Sequence, residues 1–318
     1  MGDLSISMAF LKGLNLNLQK RFAAAIKRRI GPSEEFRVEI DKLKINQGVL
    51  LAEMQRGRES KCLNDFEFRV FSQWGEDGII QHLINAIEIN ERTFIEFGVE
   101  DFLESNCRFL LMKDNWSGFV IDGSTRNIQN LRGSYYYWMH DLNAIDAFIT
   151  RENINDLLSQ SGFSDDLGIL SIDLDGNDYH ILEAIEGFRP CILICEYNAV
   201  FGPTRNISVP YEPVFVRGRA YSNQYFGASL GAIRHIAGKK GYALVGTNSA
   251  GNNAFFVRND LVNDKVEVLS PANAYTMSKF REARDREGNL TYIGGDQRIL
   301  SIRGLPVINV ETGEIEAF

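Results

Sequence analysis

The feature that most constrains this chain is a series of short apolar runs, each closing near a carboxylate and each separated from the next by a helical stretch. Thr93-Phe94-Ile95-Glu96-Phe97 ends at Gly98, Gly118 to Ile121 ends at Asp122, and a third run near Tyr136 to Met139 ends at Asp141. Leu167 to Ile172 ends at Asp173, and Cys191 to Cys195 ends at Glu196. Strands alternating with helices build a parallel sheet with right-handed crossovers, which predicts an α/β, Rossmann-like core. A helix from Gly78 to Glu88 is expected before the first strand. After the fifth come a helix over Ala228 to Lys239 and a hairpin of strands Tyr242 to Val245 and Ala254 to Val257. In an open parallel sheet, ligands sit outside the carboxyl ends of the strands, so these acids converge on one crevice. A single acid after a strand is often the N-cap of the next helix. Five in series point to a site.

Charge sharpens the division of the 318 residues. Residues 1–60 hold 11 Lys and Arg against 7 Asp and Glu, whereas the remainder holds 23 against 35. An acidic body is a poor non-specific binder of nucleic acid, because phosphate contacts are made by Lys and Arg. The basic start reads as an amphipathic helix over residues 8–30, broken at Gly31-Pro32 and followed by a second helix that Ser33 caps and that runs to about Gly57. A helical arm over 1–62 is therefore expected, for oligomerisation or docking or for peripheral contact with an anionic membrane surface. Its Leu/Ile stripe favours a homo-oligomer. The α/β domain takes residues 63–260. A C-terminal extension, 261–318, carries a charged helix near Ser278 to Arg286 and β-like runs at Arg298 to Ile302 and Pro306 to Val310. Four scattered Cys without a CxxC pair, no secretory signal pattern, and no apolar run near the roughly 20 residues of a membrane span predict a cytoplasmic protein.

The loop after the first strand selects among cofactors. An acid after the second strand can bind ribose hydroxyls of NAD or of S-adenosylmethionine. NAD also needs a G-x-G-x-x-G loop for its pyrophosphate. Here the loop is Glu96-Phe97-Gly98-Val99-Glu100-Asp101-Phe102-Leu103-Glu104, with one Gly and four acids, which would repel a pyrophosphate. It suits a cofactor with a positive centre and no phosphate, S-adenosylmethionine.

Ser72-Gln73-Trp74-Gly75-Glu76-Asp77, Phe94 to Gly98, Ile121-Asp122-Gly123-Ser124, Ile172-Asp173-Leu174-Asp175-Gly176-Asn177-Asp178, Gly241-Tyr242 and Asn253 to Val257 together resemble the FkbM-type methyltransferases. The likeness covers about residues 70–260. It implies a class I methyltransferase fold with a mostly parallel seven-stranded sheet and S-adenosylmethionine-dependent methylation of a hydroxyl, often on a sugar. Matched residue by residue, it implies that Glu96 and Gly98 line the methionine and ribose side, with Asn106 able to reach the methionine end. Asp122, followed by Gly123 and Ser124, would hold the ribose hydroxyls, and Asp141 with Leu142 would sit by the adenine. Gln73 and Glu76 would close over the cofactor, and Asp173 would stand where donor meets acceptor. The first loop departs from the family, with Glu100 and Leu103 where small residues are usual.

The segment from Asp173 to His180 is no EF-hand, since its Gly falls at the fourth loop position and Ala184 takes the twelfth. It also looks like sugar and catechol O-methyltransferases that place Mg between strands four and five. That likeness implies Asp175, Glu196 and Asn198 as ligands of Mg or Mn, with Asp173 as a further candidate. Asp178 or His180 would then take the acceptor proton, because a free alcohol is a weak acid. The loop 199–227 is expected to hold the acceptor, with Tyr197, Tyr221 and Tyr225 stacking on sugar rings and Arg205, Arg217 and Arg219 gripping a phosphate or carboxylate. Two other readings stay open. A D-x-D pair, Asp173 and Asp175, also serves metal-dependent glycosyltransferases that use nucleotide sugars. The fold could alternatively be a non-catalytic cofactor-binding module for assembly.

Overall fold

The computed structural model describes residues 33–318, apart from Ala220 and the side chains of Arg219 and Tyr221. The expected helix at 8–30 lies outside the described residues. The chain divides into two compact units, residues 1–44 and 45–318. Ser33 caps helix α1 (Glu34–Gln55) by accepting from the Phe36 amide at 3.2 Å. No described helix is long and apolar enough to cross a membrane.

The second unit is built on seven strands: β1 (Thr93–Phe97), β2 (Ser117–Asp122), β3 (Leu142–Asp146), β4 (Ile169–Ile172), β5 (Ile192–Glu196), β7 (Tyr242–Thr247) and β8 (Asn253–Arg258). The sheet order is β3-β2-β1-β4-β5-β8-β7, parallel except for β8, which pairs antiparallel with both β5 and β7. This is the strand order of the Rossmann-like class I methyltransferase fold. Residues of each strand alternate between two cores. Ile95, Phe119, Leu170 and Leu193 pack against α6 (Ile154–Ser159), α7 (Asp178–Ala184) and α8 (Leu230–Lys239). Phe94, Val120, Ile169 and Ile192 pack against α2 (Glu76–Ala86), α3 (Arg108–Asp114) and α4 (Thr125–Arg132). Burial on both faces is why the strands read as continuous apolar runs.

Three sequence expectations change. Tyr135–Met139 is a helix, α5, and the third strand is β3, which begins after Asp141. Aromatic residues ahead of a strand gave a β-like run without being one. Residues 278–286 form no helix, and Arg298 to Ile302 lies in helix α10 (Asp296–Ile302), which follows the short α9 (Pro271–Ala274). The extension also does not stand alone. Strand β9 (Pro306–Asn309) pairs with β10 (Ile315–Ala317) and with β6 (Ile207–Ser208), which lies inside the expected acceptor loop.

The Ser72 to Asp77 motif is a buried knot. Asp77 Oδ2 accepts from the amides of Val70, Phe71 and Ser72 and from Ser72 Oγ at 2.7–2.8 Å. Burial nevertheless pushes the Asp77 carboxyl up to about 6. A native value above the unfolded one means that the folded state holds the extra proton between about pH 4 and pH 6. Stability should therefore fall as pH rises through that window, by about 3 kcal/mol from this group. In urea titrations from pH 4 to pH 8, Asp77→Asn should flatten that fall; an identical pH dependence in the variant would contradict it.

Candidate functional site

The sheet reverses its order between β1 and β4, and a cleft of about 800 Å³ opens over the carboxyl ends of the strands there. That is within the range of roughly 300–1,000 Å³ for small-molecule sites. At the end of β1 the chain turns at Gly98, with φ of +69°, directly against the Asp173 carbonyl, where a Cβ has no room. The following loop is held by buried Phe102 and folds back on Glu96. Glu96 accepts from Ser105 Oγ at 2.6 Å, the Asn106 amide at 2.8 Å and the Cys107 amide at 3.1 Å. It thereby satisfies amides at the start of α3. Burial raises its pKa against the pull of those donors.

At the end of β2, Asp122 accepts from the Glu100 amide at 2.9 Å, the Ser124 amide at 2.8 Å and Asn127 Nδ2 at 3.2 Å. A carboxylate has about four acceptor sites, so capacity remains for a hydroxyl. Phe148, just past β3, is half exposed and lines the cleft beside Gly123. Trp74 and Phe280 stack at 6.2 Å on another wall.

At the ends of β4 and β5, Asp173, Asp178 and Glu196 bring one carboxylate oxygen each within 4.8 Å of one another. Burial raises the pKa of Asp173 and of Glu196 well above the usual carboxylate range, and their acidic neighbours add to it. Glu196 Oε2 is buried and has no hydrogen-bond partner among the described residues. Such crowding is relieved by a proton or by a cation, and an all-oxygen donor set suits Mg, Mn or Ca. The residues present therefore fit a hard divalent ion.

Of the residues named from sequence, the cleft brings together Gln73, Glu96, Gly98, Asn106, Asp122, Gly123, Ser124, Asp173, Asp175, Glu196 and Arg217. The remaining expectations need correction. Asp141 stands at the opposite end of the sheet, accepting from Ser117 Oγ at 2.6 Å, and Leu142 is core. The acid that ends β3 is Asp146. Glu76 is buried and accepts from Asn248 and Asn253 side chains at 2.6 and 3.0 Å, tying α2 to the β7–β8 hairpin. His180 is buried with Nε2 2.8 Å from the Val209 carbonyl oxygen, and burial lowers its pKa, so it is no base for the cleft. Asp178 accepts one amide on each oxygen, from Leu174 at 2.7 Å and Gly176 at 3.1 Å, which fixes it beside Asp173 and Glu196 rather than leaving it free as the base. Asp175 turns outward and pairs with Arg217 at 2.6 Å. Asn198 caps a short 3-10 turn, and its Nδ2 donates to the Gln224 and Phe226 carbonyls. The tail explains three aromatic and arginine assignments. Tyr197 donates to Thr276 O, Tyr225 to Pro306 O, and Arg205 pairs with Glu316 while lying over Phe318. The side chains of Arg219 and Tyr221 lie outside the described residues.

Sequence reasoning missed Trp74, Phe148, Asn177, Phe215 and Phe280, all of which line the cleft. Trp74 and Asn177 lay inside quoted motifs. Phe148 would have followed from placing β3 correctly, and Phe280 comes from a tail without periodicity.

No protein-family model and no curated protein matches the sequence. Among solved structures the chain is similar to a proposed O-methyltransferase from Klebsiella pneumoniae, at 13% identity over 74% of this chain and 95% of that one, TM-score 0.35. It is similar to the N-terminal domain of EvdMO1 with SAH bound, at 11% identity over 70% and 94%, TM-score 0.37. It is also similar to a structure of a proposed methyltransferase in complex with the Haloferax volcanii Trm112 methyltransferase activator, at 19% identity over 53% and 70%, TM-score 0.34.

Proposed function

We propose that the chain is an S-adenosylmethionine-dependent O-methyltransferase acting on a carbohydrate hydroxyl. The observation that carries this reading is the charge of the cleft. Glu96, Glu100, Glu104, Asp122, Asp173, Asp175, Glu196 and Glu282 line it, and Arg217 is the basic residue among them. Without a bridging cation a diphosphate would meet repulsion there, whereas a sulfonium and an ammonium would not. The same charge disfavours nucleotide sugars, as donor or as acceptor. Asp175 is also committed to Arg217, which argues against a D-x-D metal pair.

In this reading Asp122 takes a ribose hydroxyl, Phe148 packs on the adenine in place of Asp141 and Leu142, and Glu96, Gly98 and Asn106 bound the methionine end. S-adenosylmethionine supplies an electrophilic methyl group on a positively charged sulfur. The Trp74 and Phe280 faces offer a surface for a sugar ring. Asp173 takes the proton of the attacking hydroxyl. Asp173, Asp178 and Glu196 would hold a divalent ion, which when bound lowers the pKa of that hydroxyl. This ligand set replaces Asp175, Glu196 and Asn198.

Isothermal titration tests the cofactor half. S-adenosylhomocysteine should bind, and Asp122→Ala should weaken it about ten- to a hundredfold, the loss of one charged hydrogen bond of about 1.5–3 kcal/mol. Binding of a nucleotide sugar without binding of S-adenosylhomocysteine would overturn the reading.

A further inference from the structure

Past β5 the chain returns across the cleft at residues 212–217, and three consecutive residues of the turn after β4 hold it there. Asn177 Nδ2 donates to the Glu212 carbonyl at 2.9 Å. The Phe215 ring lies on Gly176 so closely that a Cβ would be driven into it. Arg217 Nη1 donates to Asp175 Oδ1 at 2.6 Å, with its guanidinium 3.7 Å from the centre of the Phe226 ring.

This arrangement has internal tension. A carbonyl can be met only by the NH₂ group of Asn177, so the amide orientation is fixed and Oδ1 faces away from Glu212. Among the described residues that oxygen is buried without a partner, and so is Glu196 Oε2, whose companion Oε1 stands 3.9 Å from Arg217 Nη1. A buried acceptor without a donor costs about 1–3 kcal/mol. Asp175 adds a left-handed backbone, at φ of +53°. Val214 is 60% and Val216 42% exposed, so the segment's apolar anchor is Phe215, packed against the small core that holds Phe201 and Ile207. An element held by one ring and a few polar contacts, with unsatisfied groups beside it, belongs to the low-stability end of a structure.

We propose that residues 212–217 form a hinged wall on the acceptor side of the cleft, clasped by Asp175, Gly176 and Asn177, and that its opening uncovers Asn177 Oδ1 and Glu196 Oε2. Two acceptor oxygens suit a ligand rich in hydroxyl donors. Only that choice of ligand rests on the methyltransferase reading; the opening does not.

Carbodiimide labelling read by mass spectrometry tests the wall on the intact chain. Gly176→Ala should push Phe215 away and speed labelling of Glu196 at least tenfold. Labelling of Glu96, buried on the cofactor side, should stay within twofold, as should S-adenosylhomocysteine affinity. Asn177→Ala, which removes the Glu212 contact without adding bulk, should move Glu196 in the same direction by a smaller factor and serves if Gly176→Ala does not fold. An unchanged Glu196 rate in the folded variants, or an equal rise at Glu96, would overturn the wall. Failure of the wild-type protein to bind S-adenosylhomocysteine would instead count against the cofactor assignment.

Discussion

Asp173→Asn should lower the rate of methyl transfer about 10²- to 10⁴-fold, the usual weight of a positioned acid–base group, while S-adenosylhomocysteine affinity stays within about threefold. Asp173 follows β4 directly, faces the cleft, and accepts no hydrogen bond among the described residues. Burial raises its pKa, and so do Asp175 and Asp178 beside it. Asn keeps the shape and cannot take a proton. It also removes an ionisable group from a crowded acidic set, so the variant should melt no lower than the parent. Higher or equal Tm together with lost turnover separates a functional carboxylate from a structural one. The same variant tests the ion. Millimolar Mg or Mn should raise the Tm of the parent and do so far less in Asp173→Asn. Methyl transfer followed with a labelled methyl group, retained within threefold in Asp173→Asn, would refute the role of Asp173.

Where the sequence was legible, the physics was local and repetitive. Strands β1, β2, β4, β5 and the β7–β8 hairpin are apolar because both faces of the sheet are covered. Their terminal acids fall at one end because parallel strands run the same way. The third strand was illegible for the opposite reason. Its sequence, Leu-Asn-Ala-Ile-Asp, has an exposed Asn143 and lies at the edge of the sheet, while the aromatic residues of α5 just before it mimic a strand. That single slip moved the expected adenine site to Asp141 and hid Phe148. Arg205 and Tyr225 were misassigned because composition cannot tell a ligand-facing residue from one facing another part of the chain. Arg205 and Tyr225 meet the C-terminal extension, a contact more than 80 residues away in sequence. Acidic motifs carry the same ambiguity. Glu76 and Asp77 sit in a motif beside the cleft, yet each answers backbone or side-chain donors in the interior, and only their partners reveal it.

Gly98→Ala should abolish measurable S-adenosylhomocysteine binding, by at least about a hundredfold, and destabilise the fold by about 2–4 kcal/mol. Two separate obstacles meet at this residue. Its φ of +69° disfavours any side chain, by about 1–2 kcal/mol. A Cβ would also be driven into the Asp173 carbonyl, which cannot swing aside because β4 is paired with β1 up to Glu96 and Ser171. Relief requires β1 and β4 to part at the switch point, which displaces Glu96 and Asp173 together and so removes affinity and turnover at once. Gly162→Ala isolates the first obstacle. Its φ is +68°, and nothing lies within 4 Å of the added atom, so only the backbone term remains. Gly123→Ala isolates a mild steric contact, 3.3 Å from Phe148 Cδ2 without positive φ, and should weaken the cofactor less than tenfold. Urea unfolding and isothermal titration of the three variants should then rank them with Gly98→Ala far apart from the others in both measurements. If Gly98→Ala matched Gly162→Ala in stability and bound S-adenosylhomocysteine normally, the contact between the end of β1 and the Asp173 carbonyl would not shape the site.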